Sequence, residues 1–462
     1  MTFLLLLLAG AAFAKEPALT YPPLEFTVPH ATRTVLSSGA TAFLAEDREF
    51  PLVYLSGSIR GGAQLEPADR IGLAAIYSTL LRSGGTRTRT PDEVEDFLDA
   101  HGISLEFGAS QEVITFSLSA LTTEFDRGLN ILGEILTSPR FDGARLSVSK
   151  SQHLEGILRR NDYPGAIARR EIRAALYGIA HPYGWYPETD TLKPISRSDL
   201  REFHKMLIFP DRMMVAMAGD LSIADMTAKL EKIFRGMRRS PGPIPVITPV
   251  RPEPPPRTIV APKSLTQTTI ILGHLGVTRH EPDHFALEIL NQIWGSGGWT
   301  SRLFAEVRSK RGLAYAIGST ISEPADRGLI AVYTETKSST TAETLAAVED
   351  ITKRMREAPP GADEMATAKS FLINSFIFNY RSANAVATQR RDEAFYGYPA
   401  DWLDRYRARI DAVTADDVLA AARKHLRPEA ATLVLVGDER KFDKPPESFG
   451  RPVTRLTLTP SP

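Results

Sequence analysis

The sequence predicts an α+β protein of two homologous domains, each a largely antiparallel sheet covered by helices, joined by a proline-rich linker. Three observations lead there. First, Ile195-Ser196, Asp199-Leu200, Pro210 and Gly219-Asp220 recur as Val413-Thr414, Asp417-Val418, Pro428 and Gly437-Asp438, each 218 positions later. A constant offset over several residue types points to an internal duplication. A Tyr-Gly pair also stands in each half, at Tyr177-Gly178 and Tyr396-Gly397. Second, residues 240–256 read SPGPIPVITPVRPEPPP. Proline at this density blocks helix interiors and central strands, which leaves an extended, semi-rigid connector. Third, strand and helix patterns do not alternate strictly, which favours α+β over a doubly wound parallel sheet. The expected boundaries are a signal peptide at 1–14, an N-terminal domain at 25–239, the linker at 240–256 and a C-terminal domain at 257–445.

At 462 residues the chain exceeds one typical core. Its 55 Lys+Arg balance 55 Asp+Glu, so no charge excess points to nucleic acid or a membrane surface. It has no cysteine, which excludes disulfides, thiolate metal sites and a cysteine nucleophile. The chain opens MTFLLLLLAGAAFA, an apolar run closed by Ala12-Phe13-Ala14, although no Lys or Arg precedes it. This reads as a secretory signal with an A-x-A cleavage site, too short for a stable membrane span. Export to a bacterial periplasm is the expectation.

Along the first half, Gly72-Leu73-Ala74 opens a helix whose Leu73, Ile76, Tyr77, Leu80 and Leu81 form an apolar stripe. Thr90-Pro91-Asp92-Glu93 gives another helix an N-cap, a proline in the first turn and early acids. Ile114, Phe116, Leu118 and Ala120 alternate with polar residues, the pattern of a half-buried strand. Ser196 with Asp199, and Thr414 with Asp417, are cap-like starts in matching places. In the second half, His280-Glu281-Pro282-Asp283-His284 has the letters of a zinc motif. Pro282 forces Glu281 out of the α region, so the reading is a helix start running through Phe285, Leu287, Ile289 and Leu290. The other histidines show no metal-ligand spacing.

Residues 296–319, SGGWTSRLFAEVRSKRGLAYAIGS, read as a glycine-rich turn, a helix from near Ser301 with Leu303, Phe304 and Val307 buried, a stop at Gly312 and a strand. Arg308 falls in the last helical turn and Tyr315 just past the stop, so both can project toward one point. Read alone, they are an Arg at a helix C-terminus and a packed sheet tyrosine.

This stretch resembles the C-terminal-half signature of the insulinase-like (pitrilysin, M16) zinc peptidases, and the resemblance extends over nearly all of the chain past the leader. It implies that Arg308 and Tyr315 face substrate. It also implies a first helix carrying His-x-x-Glu-His, in which two histidines hold zinc and the glutamate activates water. Here those positions are Ala75, Ser78 and Thr79, and QHLEGILRRNDYP places Gly156, beside Glu155, at the third ligand. None is a zinc ligand. His181-Pro182-Tyr183-Gly184 resembles a loop of the same family and reads as a turn. The implied function is the non-metal subunit of an exported heterodimeric M16-type zinc metalloendopeptidase, inactive alone. It would supply Arg308 and Tyr315 to a partner with an intact motif and its zinc, around a peptide substrate. The alternative is a non-enzymatic scaffold or peptide-binding protein of the same family.

Overall fold

The computed structural model describes residues 30–250 and 253–458. The expected signal peptide lies outside them. In the first half, strands β1 (Thr32–Val35), β2 (Thr41–Glu46), β3 (Leu52–Arg60), β4 (Ser104–Ala109), β5 (Val113–Leu121) and β6 (Met213–Gly219) form one sheet in the order β1-β2-β6-β3-β5-β4. Its helices are α1 (Leu73–Ser83), α2 (Pro91–Ala100), α3 (Phe125–Thr137), α4 (Gly143–Leu158), α5 (Pro164–Tyr177), α6 (Thr189–Leu192), α7 (Arg197–Leu207) and α8 (Ile223–Phe234).

In the second half, β7 (Thr258–Pro262), β8 (Gln267–Leu275), β9 (Ala314–Ile321), β10 (Leu329–Lys337), β11 (Thr432–Gly437) and β12 (Val453–Arg455) form the sheet β12-β7-β11-β8-β10-β9. Its helices are α9 (His284–Asn291), α10 (Thr341–Glu357), α11 (Ala362–Phe376), α12 (Ala383–Tyr396), α13 (Trp402–Ala412) and α14 (Ala415–His425). Between Phe234 and Thr258 the described residues form no helix or strand.

The order β2-β6-β3-β5-β4 is repeated as β7-β11-β8-β10-β9. Both sheets are mixed: β2–β6, β7–β11 and β7–β12 are parallel and the other pairs antiparallel. The repeat is visible in the caps as well. Ser196 Oγ accepts from the Asp199 N–H at 3.3 Å, and Thr414 Oγ1 from the Asp417 N–H at 3.1 Å. Each acid returns the bond to the N–H of its capping residue. Thr90 and Glu93 make the same reciprocal pair at α2.

Each sheet buries one face against helices of its own half. In the first half that core holds Ile76, Tyr77, Leu80 and Leu81 of α1 against Leu55, Ile114, Phe116 and Leu118 of the sheet. The opposite faces are covered by exchange. Helix α5 lays Ile167, Ile172 and Leu176 on Ile259, Ile271, Val434 and Val436 of the second sheet. Helix α12 sets Ala387 on Ala45, Ala216 and Ala218 of the first. Both exchanged helices stop at a glycine with positive φ, Gly178 at 75° and Gly397 at 80°. The two Tyr-Gly pairs of the sequence therefore mark their ends.

Helix α1 is held by hydrogen bonds at its start and near its middle. Glu66, 7% exposed, accepts the N–H groups of Gly72 and Ala74 at its start. Further along, Tyr77 Oη lies 2.8 Å from His204 Nδ1, and His204 Nε2 lies 3.2 Å from the Leu136 carbonyl. A carbonyl only accepts, so Nε2 carries the proton and Nδ1 accepts from Tyr77. The neutral ring is fully bonded, and burial pushes its pKa down from 6.5 to about 4.

A folded-state pKa below the unfolded one makes this stabilisation complete above pH 6.5 and lost as pH falls through about 4. Urea unfolding of the wild type and of His204→Gln at pH 7 and pH 4 tests it. The wild type is expected to lose roughly 2–3 kcal/mol more than the variant across that interval. Parallel losses would remove His204 as the acid-sensitive group.

Candidate functional site

The chain from Gln292 to Ile321 is built around two segments wound more loosely than an α-helix. In Gln292–Ser296 and again in Phe304–Lys310, N–H groups reach back five residues, as from Gly297 to Gln292 and from Arg311 to Glu306, both 3.1 Å. Such widened turns concentrate at functional sites. Leu303, Phe304 and Val307 are buried as the sequence indicates. Gly295 lies so close to β9 that a Cβ there would sit 2.6 Å from the Ser319 nitrogen. Two doubled ion pairs hold the segment from behind. Arg302 grips Glu364 of α11 through two 2.7 Å contacts, and Arg354 of α10 grips Glu306 likewise. Gly312, at φ +64°, ends the turn, and its N–H bonds the Arg308 carbonyl at 3.0 Å.

Beyond Gly312 the chain enters β9, an edge strand of the second sheet. Ile317 pairs with Thr334 and Ala314 with Thr336, so Tyr315 and Ala316 together oppose Glu335. This is a β-bulge, a device that re-aims a side chain at a sheet edge. It turns Tyr315 outward to 80% exposure. It is therefore not the packed sheet tyrosine that its place in the strand alone would give.

Arg308 and Tyr315 do meet. The Arg308 guanidinium carbon lies 5.0 Å from the Tyr315 ring centre, 4.5 Å from Phe304 and 5.1 Å from Trp299. Trp299 is 76% exposed and leans on Phe304 with ring centres 4.9 Å apart. Arg308 makes no ion pair among the described residues. Trp299 follows two glycines, and no periodicity or spacing in the sequence marks it as part of this group.

The positions where the family places its zinc ligands hold none. Ser78 is buried and Thr79 exposed, and both hydroxyls donate to the Ala75 carbonyl at 3.0 Å. Gly156 on α4 faces open space, and the neighbouring Glu155 pairs with Arg159 at 3.0 Å on an exposed surface. These residues do not fit a zinc ion.

At 280–284 the helix begins at His284, with Asp283 as cap and Pro282 just outside. His280 packs on Tyr398, while His284 Nδ1 bonds Glu323 at 2.7 Å, so the two histidines serve different neighbours. Folding does bring Glu281 and Asp283 to His425, with ligand atoms within 4.8 Å. Sequence spacing gave no sign of this, since His425 arrives from α14. The Lys424 ammonium sits 2.9 Å from Glu281 and 2.7 Å from Asp283, and so supplies the positive charge of the cluster. The group braces the start of α9 against the end of α14. His181 Nδ1 accepts from the Tyr183 N–H at 3.1 Å, a turn as expected.

A cleft of about 990 Å³ opens between the halves, over the part of the second sheet that α5 leaves uncovered. Ala316, Thr320 and Tyr333 form its floor, and Arg169 and Arg173 of α5 face them. Glu112 closes one end by accepting from Arg279, Tyr183 and the Ala325 N–H. Burial pushes Glu112 up, but the bonds from Arg279 and Tyr183 outweigh it and hold the carboxyl below the usual range.

Comparisons with known proteins agree with this fold. A family model described as Insulinase (Peptidase family M16) matches residues 44–182, and one described as Peptidase M16 inactive domain matches residues 194–372. A protein of Streptomyces coelicolor named as an uncharacterised zinc protease is 27% identical over 382 residues, 79% of this chain and 82% of that one. The mitochondrial-processing peptidase subunit beta of Blastocladiella emersonii is 23% identical over 439 residues, 92% of each chain. The crystal structure of a peptidase M16 inactive domain from Pseudomonas fluorescens superposes with a TM-score of 0.83 at 26% identity, covering 90% of this chain and all of that one.

The Gly312 turn gives a test of how the site is held. Gly312→Ala is expected to cost about 1–2 kcal/mol, because L-residues resist positive φ, whereas Gly312→Asn should cost less. Urea midpoints of the two variants decide it. Equal midpoints would mean that the turn relaxes freely and does not fix Arg308 against Tyr315.

Proposed function

This chain is a member of the insulinase-like M16 peptidase family, and on that premise we propose that it is the non-metal subunit of an exported heterodimeric M16-type zinc metallopeptidase. The partner subunit carries an intact His-x-x-Glu-His motif and the zinc. Residues 25–239 and 257–445, joined by 240–256, form two walls of a chamber that closes around an unfolded peptide. Arg308 and Tyr315 act there in trans, and the chain works after export, in a bacterial periplasm.

The observation that carries the reading is a mismatch. The chain has lost every zinc-binding side chain of the motif, yet it keeps an ion-pair-free Arg308 against an exposed Tyr315 on a bulged sheet edge. A guanidinium fork and a phenol held at one point are donors for a carbonyl oxygen that gains negative charge. Without a metal-activated water they have no reaction to assist on their own chain. The edge strand β9 offers its outer backbone groups for pairing with an extended peptide. Among the described residues no helix is long and apolar enough to cross a membrane.

The experiment uses the purified chain, alone and mixed with a co-expressed M16 chain of the same organism that has the full motif. The lone chain is expected to hold no stoichiometric zinc and to cleave no peptide, and the mixture to cleave. Arg308→Ala or Tyr315→Phe should each lower kcat/KM of the mixture by roughly 10²–10³-fold, the range for one lost oxyanion donor. Cleavage by the partner that is unchanged without this chain, or with both substitutions present, would sink the proposal. A stable complex lacking any zinc peptidase would point instead to the scaffold role.

A further inference from the structure

Tyr396 separates the inter-half cleft from a second cavity of about 370 Å³, lined from α9, α11, α12 and α13. Its walls are mostly aromatic faces. Phe376 stacks on Tyr406 with ring centres 4.6 Å apart, and Tyr398 leans on Trp402 at the same separation. Tyr380 and Tyr396 complete the ring of six.

Two carboxylates are set among these rings. Glu393, 5% exposed, accepts from the Gln389 amide at 3.2 Å, and its nearest cation in an ion pair, Arg390, stands off at 3.7 Å. Arg390 spends its donors on the Ala400 carbonyl at 3.0 Å and on Asp404 at 2.9 Å. Glu288 accepts from Tyr406 Oη at 2.7 Å. His284 lies 3.6 Å away and bonds Glu323 instead. Among the described residues neither carboxylate therefore has a direct hydrogen bond from a cation. Burial holds both above the usual range, Glu393 at about 7, which reports the same lack of compensation.

The chemistry of this lining selects its ligand. Buried carboxylates disfavour an anion, and they are poor neighbours for a purely apolar group. Ring faces attract a cation, most of all one too large or too weakly hydrated to keep its water. The volume fits one side-chain-sized group. We propose that this cavity is a binding site for an organic cation, an alkylammonium or guanidinium group, held by Glu288 and Glu393 inside the ring of aromatic side chains. The group is either a free amine or the end of a lysine or arginine side chain on a bound peptide.

Titration calorimetry on the full chain tests this with n-butylammonium, 1-butanol and N-acetyl-lysine-methylamide. Saturable binding of n-butylammonium with none by 1-butanol is expected. Binding of the lysine derivative as well would assign the site to peptide side chains, and its failure to bind would assign it to free amines. Glu393→Gln and Glu288→Gln should each weaken n-butylammonium at least 10-fold, with thermal melting as the check that they fold. Trp402 stands in the wall, so intrinsic fluorescence should change on binding, and Trp402→Phe should remove most of that signal. Equal binding of butanol and butylammonium, no saturable binding, or unchanged affinity in folded Glu→Gln variants would each overturn the proposal.

Discussion

Both sheets are apolar on both faces at their centres, and neither half can cover the second face with its own helices. Strand β11 is buried at every position, as is all but one residue of β6. The first half lends α5 to the second sheet, and the second half lends α12 to the first. Burying Ile167, Ile172 and Leu176 of α5 alone is worth roughly 1.5–3 kcal/mol each, so the halves are bound as one folding unit. The fit on the other side relies on small residues. Ala45, Ala216, Ala218 and Ala387 let α12 approach the sheet closely, and Arg391 and Arg60 cross to Ser56 and to the Phe395 carbonyl around it. The inter-half cleft is placed by this exchange. Helix α5 covers β11, β8 and β7 but not β9 and the far side of β10, and the cleft is what it leaves.

How much of this the sequence shows depends on the range of the interaction. The 218-residue repeat, the capping pairs at Ser196 and Thr414, and the alternation of Ile114, Phe116, Leu118 and Ala120 are local patterns, and the fold keeps them all. The loss of zinc ligands at 75, 78, 79 and 156 is likewise a matter of residue identity. The exchange of α5 and α12 is not legible, because a helical apolar stripe says that a face is buried and not which sheet receives it. Helix α12 even breaks the stripe: Arg391 and Glu393 are buried on it, one bonded to Ser56 across the halves and the other facing the aromatic cavity. The bulge at Tyr315 is hidden for a similar reason. Ala314 and Ile317 both enter the core, three residues apart, and no period-two pattern anticipates that.

Helix α1 has no metal-binding side chain at 75, 78 or 79, and other groups hold it in place. They are groups that a motif search ignores. Glu66 ties down the first turn through two backbone N–H groups. Ser78 and Thr79 turn their hydroxyls back onto the Ala75 carbonyl, so both donors are satisfied within the helix. Tyr77, one position before Ser78, locks the buried side to His204. These positions are therefore part of a settled, hydrogen-bonded helix, and the second half carries a different arrangement at Arg308.

That second site is prepared in the opposite sense. An arginine paired with a carboxylate must break the pair before its fork can serve a substrate, at a cost of up to several kcal/mol when the pair is dry. Arg308 has no such pair to break. The guanidinium carbon lies over the rings of Phe304, Trp299 and Tyr315, and among the described residues no carboxylate pairs with it. The neighbouring arginines show the contrast: Arg302 and Arg354 are each consumed by a glutamate in fixing the scaffold. Around one short stretch, an arginine from within it and another from α10 are spent on the scaffold, while Arg308 makes no ion pair among the described residues. That distinction separates an arginine spent on the scaffold from one whose charge stays unpaired, and it rests on where the carboxylates stand.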